Sequence, residues 1–236
     1  HPDYVMPGGV KRDVTPEKVQ TIKNTLDHVE ERIKYYKKVF ERDSILTQRL
    51  SGVGILKKAD VSRYGFVGPI ARGSGVKTDV RFEDPYAAYG EIPFNVVTRE
   101  ECDSWARMMV RVGELFETIS MLRYIADHIP EGPIGPKVMI RKVPAGEAVS
   151  RVEAQRGQLL YHIISKGGDK PYRLKIRTPS FNNILNSPIL FKDANLADLP
   201  VILASLDPCI SCMERLVIID SGDRVKTKTL TELTKG

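Results

Sequence analysis

A change in hydrophobic periodicity near residue 137 constrains the fold of this chain more than any other feature. Over residues 16–51, over 98–128 and again from about 181, apolar residues recur at roughly helical spacing. Within residues 137–178, they fall in short runs that favour strands. We therefore predict a single α+β domain over residues 1–236, mainly a helical bundle with a small antiparallel β-sheet inserted. The predicted strands cover 138–140, 148–152, 158–164 and 172–176, with Lys166-Gly167-Gly168-Asp169 as a hairpin turn.

Helix start signals place the predicted helices. Thr15-Pro16-Glu17 combines an N-cap residue, proline at the first helical position and an acid in the first turn, which predicts a helix over 16–41. Thr98 and Glu101 form a capping-box pattern that predicts a second long helix ending near residue 128. We further predict a helix over 43–51, an irregular glycine-rich stretch over 52–97, helices again from about 181, and a polar tail over 216–236 with a short strand at 216–219.

Composition excludes several classes of protein. The chain has 236 residues and a net charge of +6, spread along its length, which favours a solvated surface over a nucleic-acid partner. No apolar run approaches the ~18 residues that a membrane span needs. Three cysteines are too few for a disulfide framework and favour a reducing compartment with a metal or redox role.

Cys209-Ile210-Ser211-Cys212 is the sharpest chemical feature. Two thiols three positions apart can bind one soft metal ion, because one turn of backbone brings both sulfurs to the same side. The pattern lacks the second pair of a zinc finger and the βαβ unit of a thioredoxin-like site. The motif by itself leaves a metal or redox site and two ordinary buried cysteines open.

The sequence around this pair resembles a known family. Asp207-Pro208-Cys209-Ile210-Ser211-Cys212-Met213-Glu214-Arg215 resembles the C-terminal signature of nickel–iron hydrogenase large subunits, in the form typical of the membrane-bound, energy-converting group. Arg151-Val152-Glu153-Ala154-Gln155-Arg156-Gly157 resembles the Glu-Ala-Pro-Arg-Gly segment of that family, with Gln155 in place of proline. Three further segments also resemble the quinone-site subunit of respiratory complex I: residues 4–10, 68–75 and 168–181.

The resemblance implies a role for each matched residue. Cys209 would be a terminal nickel ligand, and Cys212 would bridge nickel and iron. Arg156 would lie over the open side of the metals, with Asp207 as its charge partner. Thr178 or Ser180 would hydrogen-bond a diatomic ligand of iron. Without the cysteines, Arg156 and Asp207 would be an ordinary surface arginine and a helix cap.

The resemblance also implies a function and a set of partners. The first hypothesis is the large subunit of a hydrogen-evolving nickel–iron hydrogenase on the cytoplasmic side of the cell membrane. Ferredoxin would supply electrons through iron–sulfur clusters on a small partner subunit, and other hydrophilic and membrane subunits would pump ions. The alternatives are a sulfane sulfur (polysulfide) reductase, a complex I-type quinone-site subunit without metal, and a non-enzymatic scaffold.

Two departures from the hydrogenase pattern separate these hypotheses. The second metal-binding cysteine pair of the family lies upstream of the region matched here, and the chain begins with His1. Either an upstream part of the large subunit, expected as a further partner, carries that pair, or the protein lacks it. Hydrogenase large subunits are cut after the C-terminal signature, whereas residues 216–236 remain here. The retained tail favours an immature subunit or a relative, such as the sulfur reductase, that needs no such cut.

Overall fold

The computed structural model describes residues 5–6, 9–135, 143–213, 216–219 and 225–228 of the chain. Helices and antiparallel strands both occur, and the α+β fold class is confirmed. No helix in these ranges is long and apolar enough to cross a bilayer. The first half of the chain contains β1 (Val5–Met6), β2 (Gly9–Val10), α1 (Pro16–Arg42), α2 (Ser44–Leu50), α3 (Lys58–Tyr64), α4 (Pro69–Arg72), α5 (Val80–Glu83) and α6 (Ser104–Asp127). The second half contains β3 (Val143–Ala154), β4 (Gly157–Gly168), β5 (Arg173–Arg177), α7 (Pro179–Leu185), α8 (Pro188–Phe191), α9 (Leu199–Leu206), β6 (Leu216–Ile219) and β7 (Val225–Lys228), with 3₁₀ turns at Leu196–Asp198 and Ile210–Met213.

The two long helices confirm the helical periodicity, but the start of α6 differs from the prediction. Asp103 caps α6, because its carboxylate accepts a hydrogen bond from the Ala106 N–H at 2.8 Å. The predicted capping box at Thr98 is wrong. Cys102 has a φ of 64°, a left-handed conformation that a continuing right-handed helix excludes. Glu101 accepts from the neighbouring Glu100 N–H instead of capping Thr98.

The glycine-rich stretch over 52–97 is more ordered than predicted, because it holds α3, α4 and α5. These helices are short enough for the glycines to lie at their ends. Gly65 terminates α3 in the left-handed conformation, and Gly68 precedes α4 with a φ of 70°. A glycine at a helix end supplies a backbone conformation that other residues adopt at a cost.

The inserted sheet has the order β3-β4-β5 and is antiparallel throughout. Val149 lies opposite His162, and Leu160 lies opposite Arg177. The strands predicted over 148–152, 158–164 and 172–176 are confirmed in position but two of them are longer, whereas residues 138–140 lie outside the described ranges. Lys166–Gly168 is not a turn but the end of β4, since it still pairs with β3. The short strand at 216–219 is confirmed as β6, which pairs with β7.

The main core lies between the short helices and the helices after the sheet. Its fully buried members come from the α3–α4 region, α8 and α9, and they include Leu56, Ile70, Leu190 and Ile202. This packing fixes the first residue of α4 and the last residue of α9. The start of α4 lies beside the tip of the β3–β4 hairpin, and the end of α9 directly precedes the cysteine motif.

Candidate functional site

The cysteine motif follows directly after α9. Asp207 ends α9 with a φ of 50°, which turns the chain out of the helix and into Pro208. Cys209 and Cys212 then lie at the two ends of a single tight turn, since the Cys212 N–H donates to the Cys209 carbonyl at 3.1 Å. Both cysteines are partly exposed and neither forms a disulfide. The turn therefore presents two free thiols together.

Two hydroxyl side chains at the start of α7 hold this turn. The Cys209 N–H donates to Ser180 Oγ at 3.1 Å, and Thr178 Oγ1 donates to the Cys212 carbonyl at 2.8 Å. Thr178 directly follows β5, so the inserted sheet and the cysteine turn are coupled through α7. The resemblance implied that Thr178 or Ser180 bonds a diatomic ligand of iron, which stays a prediction. In the structure both hydroxyls hold the backbone of the cysteine turn.

Arg156 reaches the same turn from the tip of the β3–β4 hairpin. Its Nε donates to the Asp207 carbonyl at 2.8 Å, and its Nη2 donates to Asp207 Oδ1 at 3.0 Å. The four residues expected at the site, Arg156, Asp207, Cys209 and Cys212, therefore lie together. A fixed cation beside two thiols stabilises thiolates.

Close backbone packing fixes the hairpin tip that carries Arg156. Gly157 follows Arg156 with a φ of 125°, and a Cβ there would lie 2.7 Å from the Gly68 nitrogen. A Cβ on Gly68 would in turn collide with the Arg156 carbonyl. Only glycines at both positions allow this approach, so the start of α4 sets the position of Arg156.

A buried ion cluster supports the hairpin behind its tip. Arg72 is 2% exposed and bonds Glu114 Oε1 at 2.6 Å and Glu153 Oε1 at 2.8 Å. Burial raises the pKa of Glu153, and the Arg72 charge opposes that shift. Because Glu153 lies on β3 three residues before Arg156, the cluster joins α4, α6 and the hairpin.

The pKa values of the two thiols are shifted in opposite directions. Hydrogen bonds, first from Ser211 and then from Cys212, lower the pKa of Cys209 to about 7, and the Arg156 charge adds to this effect. Burial, followed by the neighbouring Cys209, raises the pKa of Cys212. Cys209 is therefore the thiol that ionises first near neutral pH.

Two residues near the site were not singled out from the sequence as functional. Ser211 Oγ lies 3.2 Å from Cys209 Sγ. Arg111 Nε lies 4.0 Å from Asp207 Oδ2, so that Asp207 stands between two guanidinium groups. The only sequence signal for Arg111 is its place on α6, where a charged residue interrupts an apolar run.

The donor chemistry fits part of a nickel–iron centre. Thiolates are the ligands that nickel and iron take in soft sites, and Cys209 and Cys212 supply two of them on one turn. Among the residues that the structure describes, no group of three or more His, Cys, Asp and Glu side chains could hold a metal ion. Further ligands would therefore have to come from outside these residues or from another chain.

Comparison with known proteins identifies the family. The family described as "Respiratory-chain NADH dehydrogenase, 49 Kd subunit" matches residues 1–142 and 137–215. The chain belongs to this 49 kDa subunit family. Among known proteins, the chain resembles the "Carbon monoxide-induced hydrogenase" of Rhodospirillum rubrum, with 38% identity over 88% of this chain and 58% of that protein.

Two further relatives show the breadth of the resemblance. An NADH-quinone oxidoreductase subunit of Bacillus cytotoxicus is 36% identical, over 87% of this chain and 57% of that protein. A solved chain of the membrane-bound sulfane sulfur reductase, an archaeal respiratory membrane complex, superposes with a TM-score of 0.81 at 37% identity. That match covers 87% of this chain and 58% of the other. The chain thus spans less than two thirds of each relative, and the relatives include a hydrogenase, a quinone reductase and a sulfur reductase.

Proposed function

We propose that the chain is part of the catalytic large subunit of a ferredoxin-linked, membrane-bound oxidoreductase that evolves hydrogen and couples this to ion pumping. The observation that carries the proposal is the pair of free thiols, Cys209 and Cys212, beside Arg156. The hydrogenase among the relatives supports it. A quinone-site subunit without metal has no use for two thiols on one turn, which argues against that hypothesis.

In this proposal the residues of the chain bind the metal centre and orient the charged groups around it. A nickel–iron centre, when bound, supplies the redox chemistry that converts protons and electrons into hydrogen. Cys209 and Cys212 would hold it as thiolates, and the lowered pKa of Cys209 makes that thiol ready to bind near neutral pH. Asp207 orients Arg156 through two hydrogen bonds, so the positive charge of Arg156 stays beside the thiols.

The same proposal includes an assembly. A small iron–sulfur subunit would pass electrons from ferredoxin to this site, and membrane subunits would carry ions across the bilayer. The chain itself would lie at the cytoplasmic face as a peripheral subunit. The structural likeness to a subunit of an archaeal respiratory membrane complex supports this arrangement.

A second candidate is the reduction of sulfane sulfur. The likeness to the sulfane sulfur reductase chain favours it, because that chain is as similar to this one as the hydrogenase is. The donor set of only two thiols among the described residues also suits an altered metal site. In this case Cys209 and Cys212 would hold an altered metal site whose substrate is sulfur in place of protons.

Activity of the intact complex with a positioning variant tests the proposal. Arg156→Lys keeps the charge but loses the forked contact with Asp207, and we expect hydrogen evolution from reduced ferredoxin to fall about 10- to 100-fold. Arg151→Lys is the matched control, since Arg151 lies on the same hairpin and pairs with the exposed Asp84. Unchanged hydrogen evolution in Arg156→Lys, or none in the wild type, would contradict the proposal. Sulfide production from polysulfide by a wild type that makes no hydrogen would support the second candidate.

A further inference from the structure

Strand β5 separates charged and apolar side chains onto opposite faces of the sheet. Arg173, Lys175 and Arg177 alternate with Leu174 and Ile176, so the cations share one face and the apolar residues share the other. The apolar pair lies opposite Ile163 and Tyr161 of β4, its cross-strand partners. All four of these apolar side chains are exposed, by 38% to 46%.

The outer edge of β5 has no strand beside it among the residues that the structure describes. Among the described residues, β5 pairs only with β4. Arg173 to Ile176 are all exposed, and within the part of the chain that the structure describes neither Arg173 nor Lys175 makes an ion pair or side-chain hydrogen bond. An exposed edge of this kind is a template for a further strand.

We propose that this edge binds an extended segment of another subunit, in which acidic residues alternate with apolar ones. Pairing along β5 would place each acidic residue beside Arg173 or Lys175 and each apolar residue beside Leu174 or Ile176. The backbone of β5 would supply the hydrogen bonds, and the alternation of side chains would supply the specificity. This inference rests on the proposed membership of the chain in a multisubunit complex.

Other occupants fit the edge less well. A second copy of the chain would place Arg173 and Lys175 against cations of its own β5, or against apolar residues after a shift of one position. A membrane surface would have to meet the apolar and the cationic side chains from one side, whereas β5 presents them on opposite faces. Only a chain that lies along the edge meets both faces at once.

Site-specific photo-crosslinking in the native membrane complex tests the proposal. We would replace Tyr172, which is 62% exposed and precedes β5, with p-benzoylphenylalanine, and use Leu196, which is 82% exposed on the turn Leu196–Asp198, as the control position. We expect the probe at position 172 to crosslink one other subunit, in a segment that alternates acidic and apolar residues. The control position should not reach that segment.

Charge reversal on β5 gives the second measurement. The double change Arg173→Glu and Lys175→Glu should lower the crosslink yield about tenfold, because two attractive cross-strand pairs become repulsive. Lys38→Glu, an exposed reversal on α1, should leave the yield unchanged. Crosslinks to lipid, to nucleic acid, to a second copy or to a segment without acidic residues would overturn the inference. A chain that migrates within the complex on a native gel but gives no crosslink overturns this inference alone, whereas a chain that migrates by itself overturns the proposed function as well.

Discussion

Substitution of Gly157 by alanine should both strain the backbone and push the hairpin tip away from α4. Gly157 has a φ of 125°, a conformation that costs a residue with a side chain about 1–3 kcal/mol. The new Cβ would lie 2.7 Å from the Gly68 nitrogen and 2.8 Å from Val67 Cγ2, and relieving this overlap should cost about 1–3 kcal/mol more. We therefore expect Gly157→Ala to lower the free energy of unfolding by about 2–6 kcal/mol.

Two other glycines of the same sheet separate the two contributions. Gly168 has a φ of 122°, but no atom of the described residues lies within 4 Å of the position of a Cβ, so Gly168→Ala should show the strain alone, about 1–3 kcal/mol. Gly146 has no positive φ and no close neighbour within the part of the chain that the structure describes, and Gly146→Ala should be neutral or stabilise by about 0.5–1 kcal/mol. Urea denaturation followed by the fluorescence of the single tryptophan, Trp105, measures all three. Equal losses for Gly157→Ala and Gly168→Ala would refute the close packing that positions Arg156.

Three further predictions concern the ion cluster, the thiols and the core. Arg72→Met should lower the free energy of unfolding by about 3–5 kcal/mol in urea denaturation, because buried carboxylates lose their cation; a loss below about 1 kcal/mol would contradict the cluster's role. In the chain without bound metal, the rate of Cys209 alkylation by iodoacetamide, followed by mass spectrometry, should rise with pH through a midpoint of about 7, since the thiolate forms as the pH passes the pKa. Ser211→Ala should move that midpoint upward, and an unmoved midpoint would exclude Ser211 as the cause. Ile202→Ala should lower the free energy of unfolding in urea by about 2–5 kcal/mol, because Ile202 is fully buried. The change Leu203→Ala at its exposed neighbour should alter that free energy by about 0.5 kcal/mol or less. Similar losses for both would show that Ile202 is not a core residue.

The long helices and the strands of the inserted sheet were predictable because local sequence determines them, whereas the short helices α3, α4 and α5 were missed. The alternation in residues 172–176 predicted β5 to within a residue at each end, and the pattern at Thr15 predicted the start of α1. The start of α6 was not predictable from capping patterns alone. Both Thr98 and Asp103 are good cap residues, and the left-handed Cys102 between them decides in favour of Asp103.

The cysteine pair of the candidate site was predictable from its spacing, whereas Arg156 and Asp207 were predictable only through the family resemblance. Arg156 and Asp207 are 51 positions apart, and no local pattern indicates that they bond. The approach of Gly68 to Gly157 depends in the same way on tertiary packing, which sequence periodicity does not report. Ser211 was visible only as a spacer inside the cysteine motif, although its hydroxyl contributes most to the lowered pKa of Cys209.

Elemental analysis of the purified intact complex tests the central claim most directly. If Cys209 and Cys212 hold a nickel–iron centre, the wild-type complex will contain a stoichiometric amount of nickel, and Cys209→Ser will lose it. Cys102→Ser is the matched control, because Cys102 lies before α6 and outside the cysteine turn. A wild-type complex without nickel, or nickel that persists in Cys209→Ser, would contradict the claim that these two thiols form the metal site.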